Sequence, residues 1–220
     1  MKIKISHAIR EACPQLALAV IRCDVKNGET SFELWKEMEM EIHRIKATYL
    51  LEEINKRLEI AATRKIYKAL GKDPNRYRPS AEALCRRIVR DIPVYKVSTL
   101  VDIINLVSIR SGFSIGGFDR EKIQGNIELG VGTAADDQFE AIGPGLLNVE
   151  GLPLYRDQAG GIGTPTSDHE RTKISGNTTQ LLMIINSYSG TVGLNEAADH
   201  AIELLTNYAE IEDYKITWIE

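Results

Sequence analysis

Ser98-Thr99-Leu100-Val101-Asp102-Ile103-Ile104-Asn105-Leu106-Val107-Ser108-Ile109-Arg110-Ser111-Gly112-Phe113-Ser114-Ile115-Gly116-Gly117-Phe118-Asp119 joins a helix pattern, a glycine stop and a glycine pair in one run. Leu100, Ile103, Ile104 and Val107 recur at i, i+3, i+4 and i+7, which predicts a core helix with one apolar stripe. Thr99 and Asp102 are spaced as a capping box with Asp in place of the usual Glu or Gln, and Arg110 suits the C-terminal dipole. Gly112 is the expected left-handed stop. Asn105 lies between Val101 and Ile109 on the helix surface, at the edge of a buried face, where its amide must find a hydrogen bond. Gly116-Gly117 reads as a tight turn that lets backbone approach a ligand or another strand. Two readings stay open: a core helix followed by a turn, or a pocket floored by Asn105 and the glycine pair.

The rest of the chain can support such a helix, because 43% hydrophobic content over 220 residues is enough to bury a full core. No apolar run approaches the ~18–20 residues that span a bilayer, and the first seven residues lack the apolar block of a secretion signal. A cytoplasmic chain without a membrane partner is expected. Cys13, Cys23 and Cys85 are odd in number and scattered, and His7, His43, His169 and His200 form no ligand spacing, so neither a metal nor another cofactor is expected. Net charge is −4, but residues 56–90 hold eleven basic against three acidic side chains, and residues 192–220 seven acidic against Lys215 alone. Arg64, Lys68, Arg76, Arg78, Arg86 and Arg87 are therefore candidates for a surface facing an anionic partner such as tRNA. Solvated helix faces are the alternative.

Taken in order, residues 2–5 read as a terminal strand, 8–12 as a helical turn and 16–25 as a buried strand ended by Asn27-Gly28. Ser31 is the expected N-cap of a long helix striped by Trp35, Met38, Ile42, Ile45 and Tyr49. A helix is expected over residues 59–70, another begins at an N-cap Ser80, and residues 94–97 read as a short strand. Beyond Asp119 short β-leaning pieces (126–131, 139–142, 152–155) are divided by glycine turns, including Gly143-Pro144-Gly145. Residues 180–188 read as a second buried strand, Asn195 as the cap of a final helix to about residue 209, and residues 214–219 as an edge strand. The pattern predicts an α+β fold in a single domain, residues 1–220, with helices packed on a mixed, sandwich-like β-sheet core.

A second polar concentration follows the glycines at Gly160, Gly161 and Gly163: Ser167-Asp168-His169-Glu170-Arg171-Thr172-Lys173. It is neither a dinucleotide fingerprint, since the third glycine and the following helix are missing, nor a P-loop. His169 is a candidate general acid or base, or else a solvated surface histidine; Arg171 and Lys173 suit a carboxylate or phosphate. The site predicted from these stretches comprises Asn105, Gly116, Gly117, Gly160, Gly161, Arg171 and Thr172, with His169 as the catalytic candidate.

The order Val101-Asp102-x-x-Asn105-x-Val107, then Gly112-x-x-x-Gly116-Gly117-Phe118-Asp119, resembles the editing and tRNA-binding domain of the bacterial phenylalanyl-tRNA synthetase beta subunit. That family reads V-D-x-T-N-Y-V and G-Q-P-x-H-A-F-D at the corresponding places. The resemblance covers about residues 8–188, leaving the helix and strand at 194–219 outside it, and the segments 73–80 and 170–174 look most like the free-standing versions of the domain. It implies a module that binds an aminoacyl-tRNA end or an amino-acid-like ligand, with hydrolysis of mischarged aminoacyl-tRNA as the activity in question and no aminoacylation of its own. The family's threonine and histidine positions carry Ile104 and Gly116 here, and its strand glutamate falls near Ile184. This departure favours the alternative of a non-catalytic small-molecule sensor or protein-interaction domain.

Overall fold

The computed structural model describes residues 1–136, 138–143 and 145–220; Pro144 of the expected Gly143–Gly145 turn lies outside them. In chain order the elements are β1 (Ile3–Ile5), α1 (His7–Ala12), β2 (Ala17–Asp24), α2 (Phe32–Thr48), α3 (Leu58–Ala69), α4 (Ser80–Val89), α5 (Thr99–Ser111), β3 (Ser114–Asp119), β4 (Ile127–Val131), β5 (Glu140–Ala141), β6 (Gly145–Leu146), β7 (Pro153–Asp157), β8 (Gly160–Gly163), β9 (Gln180–Ser187), α6 (Leu194–Tyr208) and β10 (Glu212–Ile219).

β2 and β9 form the centre of an antiparallel sheet ordered β10-β2-β9-β3, and their continuous apolar runs have a direct cause. Alternate residues serve two cores. Ala19, Ile21 and Cys23 with Met183 and Ile185 face the helices α2, α4, α5 and α6, whereas Leu18 and Val20 with Leu182 and Ile184 face a second sheet. That second sheet is ordered β1-β4-β7-β8, with β1 parallel to β4 and the remaining pairs antiparallel. A strand buried on both faces has no polar side to show, so strict alternation is absent from its sequence. The result is an α+β domain with α2, α4, α5 and α6 on one face of a central sheet and a smaller mixed sheet, joined by α1 and the end of α3, on the other, and neither sheet closes into a barrel.

Several local expectations change in three dimensions. Gly116-Gly117 is no turn: both residues lie inside β3, in register with Ile184 and Met183. Residues 94–97 form no strand. α4 begins one residue earlier than expected, with Pro79 as N-cap, and Ser80 donates its N–H to the Pro165 carbonyl. Gly193, in the left-handed region at φ 77°, precedes α6, where Asn195 was expected. Ser31 does cap α2, accepting from the Leu34 N–H at 3.1 Å.

The helix of the opening stretch is buried on nearly every side. Its capping is also different from the box that the spacing suggests. Asp102 is fully buried and accepts from the Thr30 hydroxyl at 2.5 Å and from the Val97 N–H at 3.2 Å, while the Thr99 hydroxyl reaches back to the Gly28 and Glu29 carbonyls. The pair ties α5 to the 27–30 turn and to the 92–98 segment. At the other end Gly112 takes φ 88° as the expected left-handed stop.

Candidate functional site

Where α5 lies across β3, the two approach so closely that a Cβ on Gly117 would stand 2.4 Å from Ile104 Cδ1. Glycine is what permits this approach. Beside it opens a cavity of about 470 Å³. Its apolar wall is Leu84, Val101, Ile104, Ile115 and Ile174; its polar groups are Ser80, Asn105, Ser108, Thr164, Thr166, Ser167, Asp168 and Lys173, with Val97 and Ile142 also lining it. An apolar hollow with a few convergent polar groups is the usual form of a small-molecule site.

Most of those polar groups are already engaged. The Thr164 hydroxyl accepts the N–H groups of Thr166 and Ser167, closing the 164–167 turn, and the Thr166 hydroxyl pairs with the Tyr67 hydroxyl at 2.8 Å. Ser108 donates to the Phe113 carbonyl, and Lys173 is ion-paired with Glu170. Asp168 differs. β3 is the outer strand of its sheet, and the Gly117 N–H donates to Asp168 Oδ2 at 2.9 Å. Burial pushes the carboxyl up to about 7, and the Gly117 N–H opposes the shift.

The predicted site residues divide. Asn105 and Gly117 line the cavity. Gly116 points to the opposite face of β3, where a Cβ would meet the Phe118 ring at 2.8 Å and Asp168 Oδ1 at 3.5 Å. Gly160, Gly161, His169 and Arg171 line a second, smaller hollow of about 310 Å³ with Phe139. Thr172 is fully buried and donates to the Ile162 carbonyl at 3.4 Å.

Arg171 therefore does not join Asn105 and Gly117, because Asp157 draws it away: the guanidinium bridges both carboxylate oxygens at 3.1 and 2.8 Å, and this pairing lowers the Asp157 pKa against the effect of its burial. His169 is separated from the cavity by alternation. Isolated bridges pair Asp168 with Gly163 and His169 with Ala141, so the neighbours serve different hollows. His169 Nδ1 accepts the Arg171 N–H at 2.9 Å, its ring meets Phe139 edge-on, and burial lowers its pKa. Its side chain caps the 170–172 turn.

The six predicted cations also divide. Arg64 bonds Glu82 at 2.8 Å and Asn75 at 2.7 Å, Arg86 reaches Glu82 and the Leu51 carbonyl, and Arg87 holds the Pro93 carbonyl while stacking on Tyr95. Lys68, Arg76 and Arg78 are exposed. Elsewhere in the basic stretch, Arg57 and Lys72 are buried and bonded to carbonyls.

The sequence signal for Asp168 in this cavity was weak, since a carboxylate beside a histidine and a glutamate reads as surface. Among the described residues no cluster of His, Cys, Asp and Glu could hold a metal ion, and no helix is long and apolar enough to cross a membrane.

The sequence model of the B3/4 domain, a domain found in the phenylalanyl-tRNA synthetase beta subunit, matches residues 62–210. The chain belongs to the B3/4 domain family. That match spans α3 to α6 and contains every residue of the cavity. Among solved structures, the chain is similar to an N-terminal fragment of the phenylalanyl-tRNA synthetase beta subunit from Pyrococcus horikoshii, at 12% identity and a TM-score of 0.43. The alignment covers 96% of this chain and 50% of that one, so the chain spans about half the length of the fragment. Nothing matches among curated proteins. Of the positions where this B3/4 chain departs from the synthetase pattern, Ile104 lies on the cavity wall, whereas Gly116 and Ile184 face each other in register on the far side of the sheet.

Proposed function

We propose that this B3/4 domain binds an amino-acid-like group, free or as the aminoacyl end of a tRNA, in the cavity between α5 and β3. One observation carries the reading: a hollow of about 470 Å³ that joins an isoleucine-lined wall to Asn105 and Asp168. An aliphatic or aromatic side chain fits the wall, and the polar end of the ligand meets the amide and the carboxyl. The exposed Lys68, Arg76 and Arg78 are the candidates for tRNA phosphates; Arg78 stands two residues before Ser80, which lines the cavity.

Hydrolysis of an aminoacyl ester would need a positioned water and donors for the developing charge. The second reading is a sensor that binds without turnover, and it is favoured by Ile104, an aliphatic side chain where the synthetase pattern places a threonine. Thermal-shift titration with each amino acid, and with aminoacyl-tRNAs, tests binding. A ligand at about 100 times its Kd should add roughly 2.7 kcal/mol of stability. If no amino acid and no aminoacyl-tRNA shifts the transition, the proposal fails. Following ester loss from the same aminoacyl-tRNAs then separates the readings: acceleration over buffer supports the hydrolase, and binding alone supports the sensor.

A further inference from the structure

We propose that the cavity selects a cationic ligand, seating a primary ammonium on Asp168 with the ligand's apolar body against Ile104, Ile115 and Ile174. This rests on the reading of the cavity as the ligand site and names the chemical class that enters it.

The geometry around Asp168 is that of a half-finished ion pair. Oδ2 takes the Gly117 N–H at 2.9 Å. Oδ1 occupies space that two glycines leave open: a Cβ on Gly163 would stand 2.5 Å from it, and one on Gly116 at 3.5 Å. Among the described residues no cation neutralises the carboxyl, and the influences on its charge are burial and the single Gly117 bond. The neighbouring cations are committed elsewhere, Lys173 to Glu170, Arg171 to Asp157, and Lys122 to Asp119. Among the described residues, Asp168 is the sole acid lining the hollow and Lys173 the sole base. A half-buried carboxylate without a counter-charge is costly to ionise, and a ligand ammonium relieves that cost while desolvated beside it.

The same inventory sets the other end of the ligand. With Lys173 held by Glu170, the described residues of the cavity offer no uncommitted cation to a ligand carboxylate, so an α-amino ester or amide suits it better than the free α-amino acid. The amide of Asn105 is the polar group on the α5 side that would meet an uncharged carbonyl.

The test is calorimetric titration of the full chain with matched pairs of probes: leucinamide against 4-methylpentanamide, and phenylalaninamide against 3-phenylpropanamide, with leucine and phenylalanine alongside. Each pair differs by the amino group alone. The expected result is that the amine of at least one pair binds about tenfold or more tightly than its des-amino partner, and that the free acid is weaker than the amide. Equal binding of both members of every pair overturns the ammonium seat while leaving the cavity reading intact. Failure of every probe to bind overturns the ammonium seat, and the wider panel of amino acids and aminoacyl-tRNAs then decides the cavity reading. Asp168→Asn keeps an oxygen for the Gly117 N–H and should reduce the preference to within about threefold; a full preference in a folded Asp168→Asn chain also overturns the proposal. The wild-type comparison decides even if that variant does not fold.

Discussion

Asp168 gives the ligand-free protein a pH dependence whose sign follows from its environment. The carboxyl stands near 7 when folded against an ordinary 3.8, with the buried Tyr155 hydroxyl among the groups near it. Between those values the folded chain holds a proton that the unfolded chain has released, so this group's contribution to stability falls as pH rises from about 4 to about 7, then levels. Asp168→Asn removes the slope. With solvent reaching the cavity, the variant should be more stable than wild type by on the order of 1–2 kcal/mol at pH 8 and nearly equal at pH 4, read from urea midpoints. A variant less stable at pH 8 would show that the charged form is favoured in the ligand-free fold. Gly163 carries a steric constraint beside it. A Cβ there would lie 2.5 Å from Asp168 Oδ1 and 2.7 Å from the Phe118 ring, so Gly163→Ala should cost about 1–3 kcal/mol in chemical denaturation, whereas Gly176→Ala, with open space around it, should cost little.

α5 was readable from its period, and its anchors were not. Leu100, Ile103, Ile104 and Val107 are buried as their spacing requires, and Gly112 ends the helix in the left-handed region. The C-terminal carbonyls, however, are held by Arg57 from a position more than fifty residues away, through the Ile109 and Arg110 oxygens at 2.8 and 2.9 Å. Arg57 was counted with the basic stretch on sequence, yet it is buried, bonded also to Cys85 Sγ and stacked over Tyr49. Arg57→Ala should therefore destabilise by about 3 kcal/mol, since it strips a charge-assisted cap from the core helix. Equilibrium unfolding checks this, and a loss below about 1 kcal/mol would mean that water replaces the guanidinium. At the opposite end, Asp102→Ala leaves the Val97 N–H and Thr30 hydroxyl without their acceptor and should cost about 2 kcal/mol. Gly116 and Gly117 show why a glycine pair deceives. Both a turn and a close helix-on-strand contact need the missing side chain, and the contact partner, Ile104, is identified by packing alone.

Across the molecule, charge density in the sequence overstated the free charge. Of the six predicted patch cations, Arg64 and Arg86 are held by Glu82 and Arg87 by the Pro93 carbonyl, which leaves Lys68, Arg76 and Arg78 exposed; Lys56, Lys65 and Arg90 are the other exposed cations of residues 56–90, and Arg57 and Lys72 are interior. If Lys68, Arg76 and Arg78 contact tRNA, the logarithm of affinity should fall with the logarithm of salt with a slope of roughly −2 to −3, and Lys68→Gln with Arg78→Gln should flatten it by about 1.5–2. A wild-type slope near zero would exclude the patch. The sequence by itself determined the α+β class, the periodic core of α5 and the two strands at the centre of the sheet, because hydrophobic period and run length are local properties that packing had only to obey. The resemblance between residues 101–119 and the synthetase domain was local too, and the B3/4 match agrees with it. The tertiary structure alone decided which polar groups share a hollow. It brought Asp168 to Gly117 and Asn105, sent Arg171 to Asp157, and turned His169 toward Phe139. Those outcomes depend on which distant partner satisfies each buried charge and on which side of an extended backbone each residue falls, and neither is set by neighbours in the chain.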